Sequence, residues 1–123
     1  MLNAMRDYRK YDVWEKAHKL VLYVYQEMLP CFPKSEQYDL ASQMKRAAYS
    51  IPMNIAEGCG RNSDKDFVHF LDISLGSINE LEYVSLLAFE LKYINEQVYN
   101  ELHIRLEEVK AKLINLIKAI RKN

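Results

Sequence analysis

Gln43-Met-Lys-Arg-Ala-Ala-Tyr-Ser-Ile-Pro-Met-Asn-Ile-Ala-Glu-Gly-Cys-Gly-Arg-Asn-Ser63 is the stretch that decides the fold. At about 100° per residue its apolar and polar positions separate into two stripes. Leu40, Met44, Ala47, Ile51 and Ile55 form the apolar one. Asp39, Gln43, Arg46, Ser50, Asn54, Glu57 and Arg61 recur at steps of three and four, in a sector roughly 80° wide. The pattern predicts one amphipathic helix over residues 36–57, with Ser35 as its N-cap. Pro52 lacks an N–H and crowds the carbonyl four residues back, so a kink is expected near Ala48–Pro52. Gly58 and Gly60 can take positive φ and are expected to stop the helix, leaving Arg61 just past its end.

The polar stripe has two readings. It is either a solvated face or a hydrogen-bonded network at a subunit or helix junction. Solvated faces favour Lys and Glu in i,i+4 pairs. Gln43, Arg46, Ser50, Asn54, Glu57 and Arg61 instead mix residue types suited to fixed, planar hydrogen bonds, which favours the network.

Working outward, three more helices follow. Asp12 and Glu15 have the spacing of a capping box, and Trp14, Ala17, Val21, Val24 and Met28 recur at helical spacing until Pro30 and Pro33. Phe32 is expected to fold back on the core. Ser63, with Asp66 three residues on, caps a third helix of roughly 28 residues, about 42 Å long. Its apolar set is wide, from Phe67 and Phe70 to Phe89 and Leu91, and leaves only a thin polar strip through Lys65, His69, Asp72, Gly76, Asn79 and Tyr83. A helix apolar over more than half its circumference needs cover on several sides, and a second subunit can supply part of it. Gly76 costs about 1 kcal/mol relative to Ala, so a close helix approach is expected there. Asn95 caps a fourth helix, in which Tyr99, Leu102, Leu106, Val109, Leu113, Leu116 and Ile120 form an unbroken seam. The expected fold is all-α: an antiparallel, up-down-up-down four-helix bundle in one domain, with residues 1–11 as a loose arm.

Composition narrows the function. The chain has 123 residues, half of them hydrophobic, so disorder is excluded as its main state. Seventeen basic and 17 acidic residues give zero net charge, whereas phosphate-binding proteins carry a basic excess. Any contact with RNA or another nucleic acid must then use local patches: Arg6, Arg9 and Lys10, or Lys118, Arg121 and Lys122 with Lys110 and Lys112. Tyr8 and Tyr11 among the first group can stack on bases, or can pack the arm on a neighbouring subunit, which is the favoured reading. Cys31 and Cys59 form no C-x-x-C, and neither a secretory h-region nor an 18-residue apolar run occurs. The expectation is a cytoplasmic protein with no membrane partner.

Catalytic and cofactor chemistry finds little support. Glu15-Lys-Ala-His18 matches the Glu-x-x-His spacing of bundle metal sites and Asp66-Phe-Val-His69 nearly does, but both point away from the apolar stripes. His18, His69 and His103 fall on three helices without a paired nucleophile. No catalytic residue, metal or cofactor is expected.

Arg46-Ala-Ala-Tyr-Ser-Ile-Pro-Met-Asn-Ile-Ala-Glu-Gly-Cys-Gly-Arg61 closely resembles the signature of the bacterial four-helix-bundle proteins named for 23S rRNA intervening sequences. Phe32-Pro33, Glu36 and Leu40, then Asp66-Phe67, Phe70-Leu71, Gly76-Ser77 and Glu80, are similar to other parts of that family's pattern. The resemblance covers residues 12–120. It implies a helical bundle that assembles into a pentamer, and likeness to the accessory proteins of diversity-generating retroelements, which bind reverse transcriptase and nucleic acid. The expected function is a non-catalytic, homo-oligomeric scaffold for a partner protein, RNA or both. The alternatives are a nucleic-acid-binding module using the terminal patches, and a bundle metalloenzyme.

Overall fold

Four long helices follow one another along the chain in the computed structural model, which describes residues 6–122. They are α1 (Asp12–Tyr23), α2 (Leu40–Cys59), α3 (Asp64–Glu90) and α4 (Glu96–Arg121), and no strand occurs among the described residues. Each helix packs on two neighbours, α1 and α3 both contacting α2 and α4, and the α2–α3 contact is the most extensive. Short connections reverse the chain between successive helices, giving the antiparallel four-helix bundle that the periodicity predicts.

The core is the sum of the four apolar stripes. Leu20 and Met28, Met44, Ile51 and Ile55, Phe67, Leu71, Ile78 and Leu81, and Leu102, Leu106 and Leu113 are fully buried. Each such side chain contributes roughly 1.5–3 kcal/mol relative to remaining in water. The tight α2–α3 contact follows from small residues: Ala47, Ala48 and Gly58 on α2 and Ser74 and Ser77 on α3 are all buried. Buried hydroxyls are tolerated because each finds an acceptor. Ser74 donates to the Ile51 carbonyl across the interface (2.8 Å), and Ser85 to the Glu82 carbonyl on its own helix (2.8 Å).

Helix starts separate true caps from apparent ones. Ser63 accepts from the Asp66 N–H (3.1 Å) and Asn95 from the Val98 N–H (2.8 Å), as expected. Asp12 does not cap α1. The cap position is Tyr11, which makes no side-chain cap bond, and Asp12 lies in the first turn and pairs with Lys112 of α4 at 2.6 Å. Ser35 does not cap α2 either. A 3-10 turn occupies Lys34–Glu36, and the Glu36 carboxylate accepts the Leu40 N–H (3.2 Å), so α2 starts later than predicted. After Tyr23, α1 widens into a π-helical turn, Val24–Met28, that keeps Val24 and Met28 buried ahead of Pro30. α2 passes through Pro52 without a break in its helical backbone.

Gly60 is the C-cap at which α2 ends, leaving Arg61 just past it as expected, but the conformation of both glycines and the role of Gly58 are corrected. Neither Gly58 nor Gly60 has positive φ. Gly58 lies inside α2, where a Cβ would come within 3.0 Å of Phe67 Cδ1 and Phe70 Cβ, so close packing of α3 excludes a side chain there. Gly76 is exposed, and a Cβ on it would meet nothing within 4 Å, so no close approach exists there among the described residues. The left-handed residue is instead Lys92 (φ 67°), at the end of α3. The Tyr93 N–H bonds to Ala88 O and the Lys92 N–H to Phe89 O, both at 2.9 Å, the double closure of a Schellman motif.

The arm is also corrected where it is described, residues 1–5 lying outside the described residues. Residues 6–11 are packed on their own bundle. Tyr8 meets Trp14 edge-on at 4.8 Å and Tyr11 meets Phe67 at 6.0 Å. Arg6 donates to the Arg61 carbonyl (2.8 Å) and to Asp64 (2.6 Å), with its guanidinium 4.4 Å from the Phe67 ring centroid.

Candidate functional site: the outer face of α2 and α3

The polar stripe divides on folding. Ser50 and Asn54 turn toward α3: the Ser50 and Ser77 hydroxyls are 2.7 Å apart, and the Asn54 amide donates to Ser50 O (2.8 Å) and Oγ (3.0 Å). Ser77 also donates back to Ile73 O at 3.2 Å. This chain of bonds ties the outer edge of α2 to α3. Glu57 and Arg61 pair with each other at 3.0 Å, with Arg61 over the Phe70 ring at 4.6 Å. Gln43 and Arg46 are exposed, and Arg46 has no ion pair among the described residues. Among the described residues, the stripe is therefore a short polar seam with an ion pair at one end and an exposed, unpaired Gln43 and Arg46 at the other.

Large apolar side chains surround that seam. Tyr49 and Met53 of α2, and Ile73 and Tyr83 of α3, remain exposed after the bundle has closed, Met53 at 54% and Ile73 at 39%. Gly76 lies on the same side of α3 as Ile73 and Tyr83, with open space where a Cβ would be. The wide apolar face of α3 is thus only partly covered by its own bundle.

The basic candidates gather at one end. Arg6 bonds to Asp64 and Arg121 to Asp72 (3.4 Å), which brings the start of the chain, the start of α3 and the end of α4 together. Arg9 and Lys10, and Lys118 and Lys122, are exposed nearby in the chain, with Arg9 5.2 Å from the Tyr8 ring. Arg6 and Arg121 are bonded to acids, so the patch is smaller than the sequence suggests. The Cys59 thiol in this region is buried, and burial pushes its pKa up to about 11. Tyr11 beside it is likewise raised by burial, then by Cys59.

Neither sequence-level metal motif assembles. Glu15 pairs with Lys19 (3.6 Å), His18 stacks on Trp14 (5.1 Å, 5° between planes), and Asp66 and His69 are exposed. A different group does converge. Glu82 of α3 and His103 and Glu107 of α4 bring one potential ligand atom each within 4.8 Å of one another. The i,i+4 spacing of His103 and Glu107 is legible in the sequence, but Glu82 joins them only through the α3–α4 register. No helix among the described residues is long and apolar enough to cross a membrane.

With this geometry in place, comparison with known proteins is decisive for kinship. A family model described as 23S rRNA-intervening sequence protein matches residues 9–115. The chain belongs to that family. A solved structure, described as a protein with unknown function from the S23 ribosomal protein family of Bacteroides thetaiotaomicron, shares 26% identity. The match covers 86% of this chain and 98% of that one, with a TM-score of 0.79. No curated protein matches. The family segment spans all of α1, α2 and α3 and most of α4, including the Ser50–Asn54–Ser77 seam and the exposed face around it.

Proposed function

We propose that this family member is a non-catalytic, homo-oligomeric helical scaffold, with a pentamer as the favoured assembly, that collects a partner protein or RNA in the cytoplasm. One observation carries the reading: Tyr49, Met53, Ile73 and Tyr83 stay exposed beside an open Gly76, on a bundle that has already filled its own core. Exposed apolar groups clustered on one face mark an interaction surface. A second copy fits it, because helix faces with small residues let two backbones approach closely and a self-complementary or ring-forming patch needs no other component. Arg46 and Gln43 then border the junction, which completes the polar network that one chain leaves half made. The two free cysteines agree with a reducing compartment.

The test pairs Met53→Glu and Ile73→Glu with sedimentation at micromolar concentration. The reading expects both variants to keep wild-type helicity and to lose oligomer mass. Unchanged mass in both would remove this face as the junction.

The second reading, RNA binding by the terminal patch, draws on the gathering of Arg9, Lys10, Lys118 and Lys122 at one end. Structured RNA should then bind with an affinity that falls about tenfold or more between 50 and 200 mM salt if several phosphates are met. Salt-insensitive binding, or none at 50 mM, refutes it.

A further inference from the structure

Among the described residues, six ion pairs tie Lys and Arg to carboxylates, and none of them includes Glu82 or Glu107. Residues 1–5 and 123 contain no Lys or Arg that could do so. Yet carboxylate oxygens of these two acids and a ring nitrogen of His103 lie within 4.8 Å of one another. Like charges brought together this way repel unless a cation sits between them. The nearby cations are engaged elsewhere or lie farther away: Arg105 bonds to Glu101 (2.9 Å) and covers the Tyr23 ring, and Lys110, one turn along α4, reaches neither acid within ion-pair distance.

We propose that Glu82, His103 and Glu107 form a site for a divalent first-row transition metal ion that bridges α3 and α4. The chemistry of the donors selects that class. One imidazole and two carboxylates suit zinc, cobalt, nickel or manganese, whereas calcium and magnesium prefer oxygen donors alone. Two carboxylates carry the charge that a divalent ion cancels. His103 and Glu107 stand one turn apart on the same face of α4, so α4 supplies a preformed two-point clamp and α3 the third ligand.

The contraction required is small. Ligand atoms about 2.1 Å from a metal lie roughly 3–3.5 Å apart, and Glu side chains reach that spacing through their own torsions. The neighbourhood also holds an outer partner. The Tyr99 hydroxyl lies 3.2 Å from His103 Nε2, and Tyr99 is itself fixed by stacking on Phe89 (centroids 4.6 Å apart). With Nε2–H donating to the Tyr99 hydroxyl oxygen, Nδ1 keeps its lone pair for the metal, the arrangement in which metal-binding histidines are held. Glu82 and His103 are half-buried and Glu107 is exposed, so an ion reaches the site from solvent.

Three protein ligands leave open coordination positions for water, so a bound ion fastens the two helices. This site is independent of the assembly reading above, since it lies on the α3–α4 side of the bundle and not on the α2–α3 side.

The experiment is calorimetric titration of the metal-stripped full chain with Zn²⁺ at pH 7.5, with Co²⁺ absorption in the visible as a spectroscopic check. The expected result is one ion per chain, with Glu82→Gln and His103→Ala each weakening binding at least tenfold and His18→Ala leaving it unchanged. Melting of each metal-free variant establishes that it is folded. If His103→Ala fails to fold, Glu107→Gln, at an exposed position, decides the matter by the same tenfold criterion. Absence of saturable uptake, or uptake that the folded site variants leave unaltered, overturns the proposal.

Discussion

Replacing Gly58 by Ala tests the packing of α2 on α3 through a single carbon. Gly58 has helical neighbours on both sides and no positive φ, so Ala meets no backbone objection. Taken alone, the change should stabilise the helix by roughly 0.5–1 kcal/mol. The new Cβ, however, would lie 3.0 Å from Phe67 Cδ1, 3.0 Å from Phe70 Cβ and 3.2 Å from the Phe67 carbonyl. The Phe67 ring is buried and cannot swing out, and the other two atoms are anchored to the backbone of α3. Only a shift of α3 relieves the contact, and overpacking of this kind costs about 1–3 kcal/mol. At the middle of both ranges the packing penalty wins, leaving a net loss of about 1 kcal/mol and at most about 2.5 kcal/mol. For a chain of this length, each 1 kcal/mol lowers the melting temperature by roughly 3–6 °C. Gly60→Ala is the control, because its nearest neighbour, Glu57 O, is 3.5 Å away and in ordinary contact. Thermal unfolding followed by circular dichroism measures both. A Gly58→Ala variant that melts at or above wild type would refute the close-packing argument.

Four further outcomes are expected. Lys92→Gly should stabilise the protein by about 1 kcal/mol, since it relieves the left-handed backbone at the end of α3, and denaturant unfolding reads this directly. Asp12 is held below its ordinary carboxylate value of 3.8, first by its hydrogen bond to Lys112, so its stabilisation is present above that value and lost as pH falls through the lowered one. Asp12→Asn should accordingly be less stable than wild type at pH 6, with the gap closing as pH falls below 3.8 in acid titrations of unfolding. A thiol reagent at pH 8 should label one cysteine per native chain, exposed Cys31, while Cys59, 2% exposed with its thiol raised to about 11, reacts only on unfolding. Glu57→Ala removes only an exposed pair with Arg61, so the fold should lose no more than about 0.5 kcal/mol, and any larger drop in oligomer mass would place Glu57 at the junction.

The bundle was legible because helix periodicity is a local property. Met44, Ile51 and Ile55 on α2 and Leu102, Leu106, Val109 and Leu113 on α4 were identified by spacing alone and are buried. Ser63 and Asn95 were found as caps because a cap bonds to the backbone two or three residues on. What escaped depends on neighbours distant in the chain. Asp12 has the local credentials of a cap, but Lys112 of α4 claims its carboxylate. Gly58 looked like a helix stop because the phenyl groups that require its bare backbone belong to α3. Ser74, Ser77 and Ser85 break the apolar pattern of α3, so their burial follows only once carbonyls and α2 supply acceptors. The Ser50–Asn54 half of the polar stripe was visible, its Ser77 partner was not, and the convergence of Glu82 with His103 and Glu107 needed the α3–α4 register.

Sedimentation of the unmodified chain at micromolar concentration tests the central claim most directly. The scaffold reading predicts a particle several times the 14.5 kDa chain mass, about 72 kDa for the favoured pentamer. A single species at 14.5 kDa, stable across concentration, would contradict it.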